Sequence, residues 1–292
     1  MTAVATTLPP GSAIAPTFQV IEHLSRGRTL DVYDVWSEER GCRCIAKTLR
    51  PDRVHDQSAR RRLEREGRLL RRLSHPHIVR GYELLAKPRP VVIMETLSGE
   101  TLAHLIEEGD RLTPVEVAHL GLQLCSAIQY LHRHGFLHLD VKPSNIVAEG
   151  GRAKVIDLGL ARPPGRAGGG IGTWCYMAPE QVRGGELTAA ADVWGIGVVL
   201  WEAAAGRPAF GGEDDEALLP TSSEEDLADE MYPQLRRPAD PVRRHRRLPT
   251  TLAQAIDATV YPKARDRPSV ATLAALLEEV PGVISPRSPR PT

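Results

Sequence analysis

Between residues 138 and 180 the chain gathers side chains able to move protons and hold charge. The run His138-Leu139-Asp140-Val141-Lys142-Pro143-Ser144-Asn145 sets a carboxylate, an ammonium and a carboxamide close together. Asp140 is a candidate general base, because a positioned carboxylate can accept or orient the proton of a hydroxyl. Twelve residues past Asn145, after the Lys154-Val155-Ile156 run, comes Asp157-Leu158-Gly159. Asn145 and Asp157 offer the oxygen ligands that a hard cation such as Mg²⁺ prefers. An Asp near a Gly is often only a turn, but its place after an apolar run and at this distance from Asn145 points to more. Upstream, Lys47 closes Cys44-Ile45-Ala46-Lys47, three small or apolar residues that should enclose its stem. Glu66 follows 19 residues later, inside an Arg-rich stretch with helical spacing.

These residues need elements to place them. From Phe18 to Val35 the apolar residues alternate loosely and predict strands, as does the segment that ends at Lys47. Residues 56–73 carry Leu63, Leu70 and Leu73 at helical spacing, with Glu66 nearly in line. Val91-Val92-Ile93-Met94 reads as a short buried strand. Thr113-Pro114-Val115-Glu116 is a capping box with Pro at the first helical position. The helix it opens carries Leu120, Leu124, Ile128 and Leu131 on one stripe, and Gly135 is its stop. A second long helix is predicted from near Thr188 to Gly206, and a last one from Val270 to Glu279. A strand-rich part of about 80 residues therefore precedes a helical part of about 180, with the joint near Glu95 to Gly99. Residues 1–17 read as a flexible leader and 282–292 as a disordered tail, whose hydroxyl residues (Thr6, Thr7, Ser285, Ser288, Thr292) are open to phosphorylation. Residues 213–247 are a polar interruption, first acidic and then basic, and read as an exposed loop or a partner surface.

Composition narrows the classes. The 292 residues are 41% hydrophobic and 25% charged, which excludes a wholly disordered chain, a collagen and a coiled coil. Acidic and basic residues balance at 37 each, so the chain as a whole is not marked as a nucleic-acid binder. Four cysteines make no disulfide framework, and Cys42-Arg43-Cys44 lacks the further ligands of a zinc site. His132, His134 and His138 also lack accompanying ligand spacing, so no metal is expected there. No run of about 18 apolar residues exists, which leaves no membrane span. The expected location is the reducing cytoplasm.

HLDVKPSN, DLG and GTWCYMAPEQ, in that order and spacing, together with CIAK and Glu66, resemble the protein-kinase catalytic core. The resemblance is specifically to bacterial serine/threonine kinases of the eukaryotic-like (Hanks) type, over about residues 18 to 281. The resemblance implies a bilobal α+β fold, with a small antiparallel β lobe carrying one helix (18–95) and a larger, mainly helical lobe (99–281). ATP and Mg²⁺ (or Mn²⁺) would sit in the cleft between them, and protein hydroxyls would be the acceptors. Phosphoryl transfer asks for positioning and charge neutralisation more than for covalent chemistry. In the resemblance Lys47 holds the α and β phosphates and pairs with Glu66. Asp140 is the catalytic base, Lys142 neutralises the moving phosphoryl group, and Asn145 and Asp157 bind the metal. The ATP site would draw on Leu24, Gly27, Val32, Ala46 and Lys47, with Met94 facing the adenine and the backbones of Glu95 and Leu97 meeting its edge. Thr173 would shape the substrate-docking loop near Asp140. Glu180 would pair with Arg267, Asp192 would anchor the catalytic-loop backbone, and His138 would pack beneath it.

Three departures stand out. The phosphate-covering glycine loop is reduced to Gly27 in Ser25-Arg26-Gly27-Arg28-Thr29-Leu30-Asp31-Val32, where Arg26 and Arg28 could compensate by direct charge. Leu139 replaces the arginine that in the family binds a phosphorylated activation loop. Residues 160–171 contain no Ser, Thr or Tyr, so activity is expected not to depend on activation-loop phosphorylation. Leu158 replaces the usual Phe and keeps an apolar side chain. Against the active kinase stand two other readings. One is a pseudokinase scaffold that binds partners at residues 60–72, which hold seven Arg, or at 213–247. The other is a small-molecule kinase, which the intact GTWCYMAPE segment disfavours.

Overall fold

The computed structural model describes residues 6–109, 111–210 and 232–283. The chain divides into two compact units, one running to Ser98 and including Ile156–Gly159, the other formed by the remainder.

The first unit is built on a six-stranded antiparallel sheet in the order β1-β2-β3-β4-β6-β5. Its strands are β1 (Ala13–Ala15), β2 (Phe18–Arg26), β3 (Leu30–Ser37), β4 (Cys42–Leu49), β5 (Gly81–Leu85) and β6 (Val91–Glu95). Side chains alternate between faces at a period of two. One face buries Phe18, Val20, Tyr33, Val35, Cys44, Ala46, Val91 and Ile93. The other carries Lys47 and Val92, which are in register on β4 and β6. Against that second face packs α1 (Gln57–Arg72), capped by the Asp56 carboxylate, which accepts the N–H groups of Ser58 and Ala59 at 2.9 Å. Gly67 lets the helix come close, since a Cβ there would lie 2.8 Å from Val92 Cγ2.

The expected flexible leader needs correction within residues 6–17. Ala13–Ala15 forms β1 against β2, and the Leu8 N–H donates to the Tyr33 hydroxyl at 3.1 Å. Edge pairing satisfies backbone groups that composition alone read as free.

The second unit is mainly helical. It contains β7 (Glu100–Thr101), α2 (Leu102–Glu107), α3 (Pro114–Arg133), β8 (Ile146–Glu149), β9 (Arg152–Val155), β10 (Gly165–Ala167), α4 (Pro179–Arg183), β11 (Gly185–Leu187), α5 (Ala189–Ala205), α6 (Pro233–Arg236), α7 (Thr250–Thr259) and α8 (Val270–Glu278). The Thr113/Glu116 capping box forms at the start of α3. Helix α5 is apolar nearly all round, as a fully buried helix must be, and ends on Gly206 in the left-handed conformation. Small residues on α5 allow close crossing: a Cβ on Gly197 would fall 1.8 Å from Thr259 Oγ1 of α7. Residues 213–231 of the polar stretch and 284–292 of the tail lie outside the described residues. Among the described residues no helix is long and apolar enough to cross a membrane.

Candidate active site

In the first unit the charge chemistry centres on Lys47. Its Nζ donates to Glu66 Oε1 at 2.9 Å and to Asp157 Oδ2 at 2.7 Å. Strand β4 turns Lys47 toward α1, and Glu66 lies on the buried stripe of that helix. Burial alone would lower the lysine pKa, but the carboxylates of Asp157 and Glu66 outweigh it and hold the ammonium above its ordinary value. Burial pushes Glu66 up to about 7, and the Asp157 charge adds to the rise while Lys47 opposes it. The Asp157 segment is fastened at several points: Asp157 Oδ1 accepts the Gly159 N–H at 2.6 Å, and the Leu158 N–H reaches Glu66 Oε1 at 3.4 Å. Arg65, one of the seven arginines of residues 60–72, donates to the Gly159 carbonyl at 3.2 Å. Leu158 is buried, in keeping with the apolar side chain retained there.

The strand faces sort the expected adenine-site residues. Val32 is in register with Lys47, and Met94, in register with Ile45, shares the sheet face of Val92 and Lys47. Ala46 does not. It faces the opposite side of the sheet, among Tyr33, Cys44 and Val35. Ile45, two residues before Lys47, is the β4 residue on the lysine's face, and period-two alternation could have found it. Leu24 is half-exposed on β2, and Leu97 is half-buried beyond the end of β6. The Glu95 N–H donates to the Arg80 carbonyl at 2.9 Å.

The expected direct-charge role for Arg26 also needs correction. Arg26 donates through Nε and Nη2 to Asp31 at 2.7 and 2.9 Å. Asp31 is fully buried and also lies 3.3 Å from His23 Nε2. Burial would raise the Asp31 pKa, and the hydrogen bonds and charges of Arg26 and His23 outweigh it, holding the carboxyl below its ordinary value. Gly27 closes the hairpin by donating its N–H to the Leu30 carbonyl at 2.8 Å. Arg50, itself paired with Asp52, donates to the Gly27 carbonyl at 3.1 Å. Where the family pattern has flexible glycines, this chain has a hairpin fastened by arginine side chains.

In the second unit the Asp140 carboxylate is held from two sides. Oδ1 accepts the Thr173 N–H at 3.0 Å and its hydroxyl at 2.7 Å. Oδ2 accepts from Asn145 Nδ2 at 3.1 Å, and the same amide reaches the Asp140 carbonyl at 2.9 Å. The Asn145 amide nitrogen is thus committed to Asp140, and its oxygen takes part in neither bond. Asp192 accepts the backbone N–H groups of His138 and Leu139 at 2.8 and 2.7 Å and meets His132 Nε2 at 2.7 Å. His138 Nδ1 accepts the Asp140 N–H at 3.2 Å, and His134 Nδ1 lies 2.8 Å from the Tyr130 carbonyl. Leu139 has φ +67°, a strained backbone for a leucine that surrounding bonds must hold. Lys142 stands two residues past Asp140, half-buried. Farther off, Arg267 forms a two-pronged pair with Glu180 at 2.7 and 2.9 Å.

Among the described residues no group of three or more His, Cys, Asp or Glu could hold a metal alone. The donors present fit a different arrangement. Within the first unit, the Asp157 carboxylate beside the fixed Lys47 ammonium is the kind of donor pair that suits a phosphate and a hard cation, the cation's other ligands being phosphate and water.

The protein kinase domain family matches residues 18–276, and this chain belongs to it. It is similar to bacterial members in particular. A probable serine/threonine-protein kinase of Streptomyces coelicolor is 33% identical over 208 residues, covering 67% of this chain and 31% of that protein. The probable serine/threonine-protein kinase PknB of Corynebacterium glutamicum is 32% identical over 226 residues, 73% of this chain and 35% of the relative. Serine/threonine-protein kinase PknB of Mycobacterium tuberculosis is 36% identical over 180 residues, 57% of this chain and 29% of the relative. The chain spans about a third of the length of these relatives.

Proposed function

We propose that this chain transfers phosphate from ATP to Ser and Thr hydroxyls of protein substrates. The observation that carries the reading is the Lys47 ammonium, fixed between Glu66 and Asp157 by bonds of 2.9 and 2.7 Å. Burying one ammonium between two carboxylates is costly unless the charge is used or fully compensated. A scaffold without transfer chemistry has no physical need of that arrangement.

Lys47 and Asp157 would hold the nucleotide phosphates and Mg²⁺, with Asn145 as a further metal ligand. The metal would supply charge neutralisation at the phosphates. Asp140 Oδ2 would accept the proton of the substrate hydroxyl, while Thr173 fixes the carboxylate through Oδ1. Lys142 would balance the charge that develops as the phosphoryl group moves. The Thr173 to Glu180 segment would dock a polypeptide. The exposed arginines of α1, among them Arg61, Arg68 and Arg72, would suit an acidic regulatory partner. The bonds from the buried Gln181 amide to the carbonyls of Leu139 and Ile171, at 2.8 and 2.7 Å, support activity without activation-loop phosphorylation.

The test is transfer of labelled phosphate from ATP, with Mg²⁺ or Mn²⁺, to the protein itself and to a generic acceptor, beside Lys47→Met. Label that disappears in the variant supports the reading. Equal label in both refutes the role of Lys47, and no label from folded wild type refutes transfer altogether.

A further inference from the structure

Leu139 removes the arginine that would bind a phosphate, and residues 160–171 offer no residue to carry one. Something else must hold this segment against the loop that bears Asp140. Gln181, in α4, has the bonds to do so. It is 2% exposed. Its Nε2 donates to the Leu139 carbonyl at 2.8 Å and to the Ile171 carbonyl at 2.7 Å. Its Oε1 accepts the Ala178 N–H at 3.0 Å, and its backbone carbonyl accepts the Gly170 N–H at 2.8 Å. One buried side chain thus joins the residue before Asp140 to the residue two before Thr173, and both Asp140 and Thr173 meet at Asp140 Oδ1.

The glycine run is shaped for this fastening. Strand β10 pairs with β11, Gly165 opposite Leu187 and Ala167 opposite Gly185. A Cβ on Gly169 would lie 2.4 Å from the Val182 carbonyl oxygen. Gly172 has φ +136°, and a Cβ there would lie 3.1 Å from both Gln181 Nε2 and the Leu139 carbonyl oxygen. Glycine at these positions lets the backbone come within reach of the amide.

We propose that Gln181 is a positioning residue that latches the catalytic loop to the activation segment, holding the segment in its working place with no phosphate. One buried amide satisfies two carbonyls, that of Leu139 in a buried bond and that of Ile171 in a part-buried one, and the strained φ of Leu139 is held from its carbonyl side. The catalytic part of this proposal rests on the reading of Asp140 as the base. The latch itself does not.

The experiment compares wild type with Gln181→Leu, similar in size but without donors. The first readout is limited trypsin digestion at Arg166–Ala167. Arg162 precedes Pro163, so this is the bond open to trypsin between residues 160 and 172. The second is steady-state phosphate transfer to a generic peptide. Cleavage in Gln181→Leu should be faster by roughly tenfold or more, because local opening sets the rate. The kcat should fall by roughly tenfold or more with the KM for ATP within about twofold, since the loss is one of orientation and not of nucleotide binding. Cleavage at the wild-type rate in a folded variant overturns the latch. Faster cleavage with unchanged kcat, or a fall confined to the KM for ATP, overturns its positioning role. If Gln181→Leu does not fold, Gly169→Ala replaces it: its Cβ, 2.4 Å from the Val182 carbonyl oxygen, should open the same segment and give the same cleavage and kcat changes, and the absence of both changes in a folded variant would overturn the proposal. If wild type transfers no phosphate, the proposed function fails, and the trypsin comparison alone decides the latch.

Discussion

Replacing Arg267 with methionine tests how the second unit is held together. The Arg267 side chain is wholly buried and makes five hydrogen bonds: two to Glu180, at 2.7 and 2.9 Å, and one each to the carbonyls of Tyr261, Ala190 and Pro262 at 2.8, 2.9 and 3.1 Å. Its guanidinium also lies over the Trp194 ring, 4.9 Å from the centroid. Methionine keeps much of the stem volume but removes every donor. Glu180, 17% exposed beside Arg267, is left with no cation, and breaking a buried pair from one side costs about 3–5 kcal/mol. At about 2–4 °C per kcal/mol for a unit of this size, Tm should fall by roughly 6–20 °C. Glu180→Gln should cost less, about 1–3 kcal/mol, because the guanidinium keeps its three carbonyls and an amide oxygen. The double variant should be more stable than the sum of the two losses predicts, by at least about 1 kcal/mol, since the pair is removed once and not twice. Thermal and denaturant unfolding of the four proteins gives the cycle. A Tm shift below about 2 °C for Arg267→Met, or strictly additive losses, would refute the reasoning.

Two further outcomes follow from particular bonds. Thr173→Val removes the 2.7 Å hydroxyl bond to Asp140 and should lower kcat by roughly 10- to 150-fold, the rate equivalent of about 1.5–3 kcal/mol for a hydrogen bond to a charged group, while Thr173→Ser should stay near wild type; a loss under twofold in the valine variant, measured by peptide phosphorylation, contradicts this. Asp31, held below its ordinary pKa of 3.8, should add stability that is complete above that value and lost as pH falls through its lower folded value; Asp31→Asn should therefore be less stable than wild type at pH 7, with the gap closing below pH 3.8, and a constant gap in urea titrations across that range would count against the Arg26 pairing.

Much of this arrangement is legible from residue types alone. The capping box at Thr113 and the periodic leucines after it locate α3, and the glycine at 206 ends α5 where a left-handed residue is needed. Lys47 and Asp157 stand out because each follows an apolar run, whereas Glu66 lies among other charged residues and is singled out by the family resemblance. Other features leave weaker marks. Strand β1 is three residues of Ala-Ile-Ala in a Pro- and Thr-rich stretch, and its existence depends on an available sheet edge. Helix α7 buries Leu252, Ala255, Ile256 and Thr259 at helical spacing, but only two of these are large apolar residues, the helix is ten residues long, and its N-cap is Pro249 with no side-chain cap. The choice between Ala46 and Ile45 turns on which sheet face Lys47 occupies, which the alternation determines once one residue of β4 is placed. Arg26 has the composition of a phosphate ligand, yet its partner is a buried aspartate five residues on. Gln181 is silent in sequence, since its role comes from two carbonyls 42 and 10 residues away.

The proposed role of Asp140 in phosphoryl transfer differs from that of a residue which only shapes a binding surface. The most direct measurement is single-turnover transfer from labelled ATP to a generic Ser/Thr peptide by wild type and Asp140→Asn, with nucleotide binding followed in parallel. An asparagine oxygen can still accept the Thr173 bonds, but its amide cannot take up a proton. The variant is expected to stay folded, to bind Mg-ATP within about threefold of wild type, and to lose transfer by about 10²-fold or more, the usual weight of a general base. Equal transfer by both proteins would contradict it, as would nucleotide binding without transfer by the wild type.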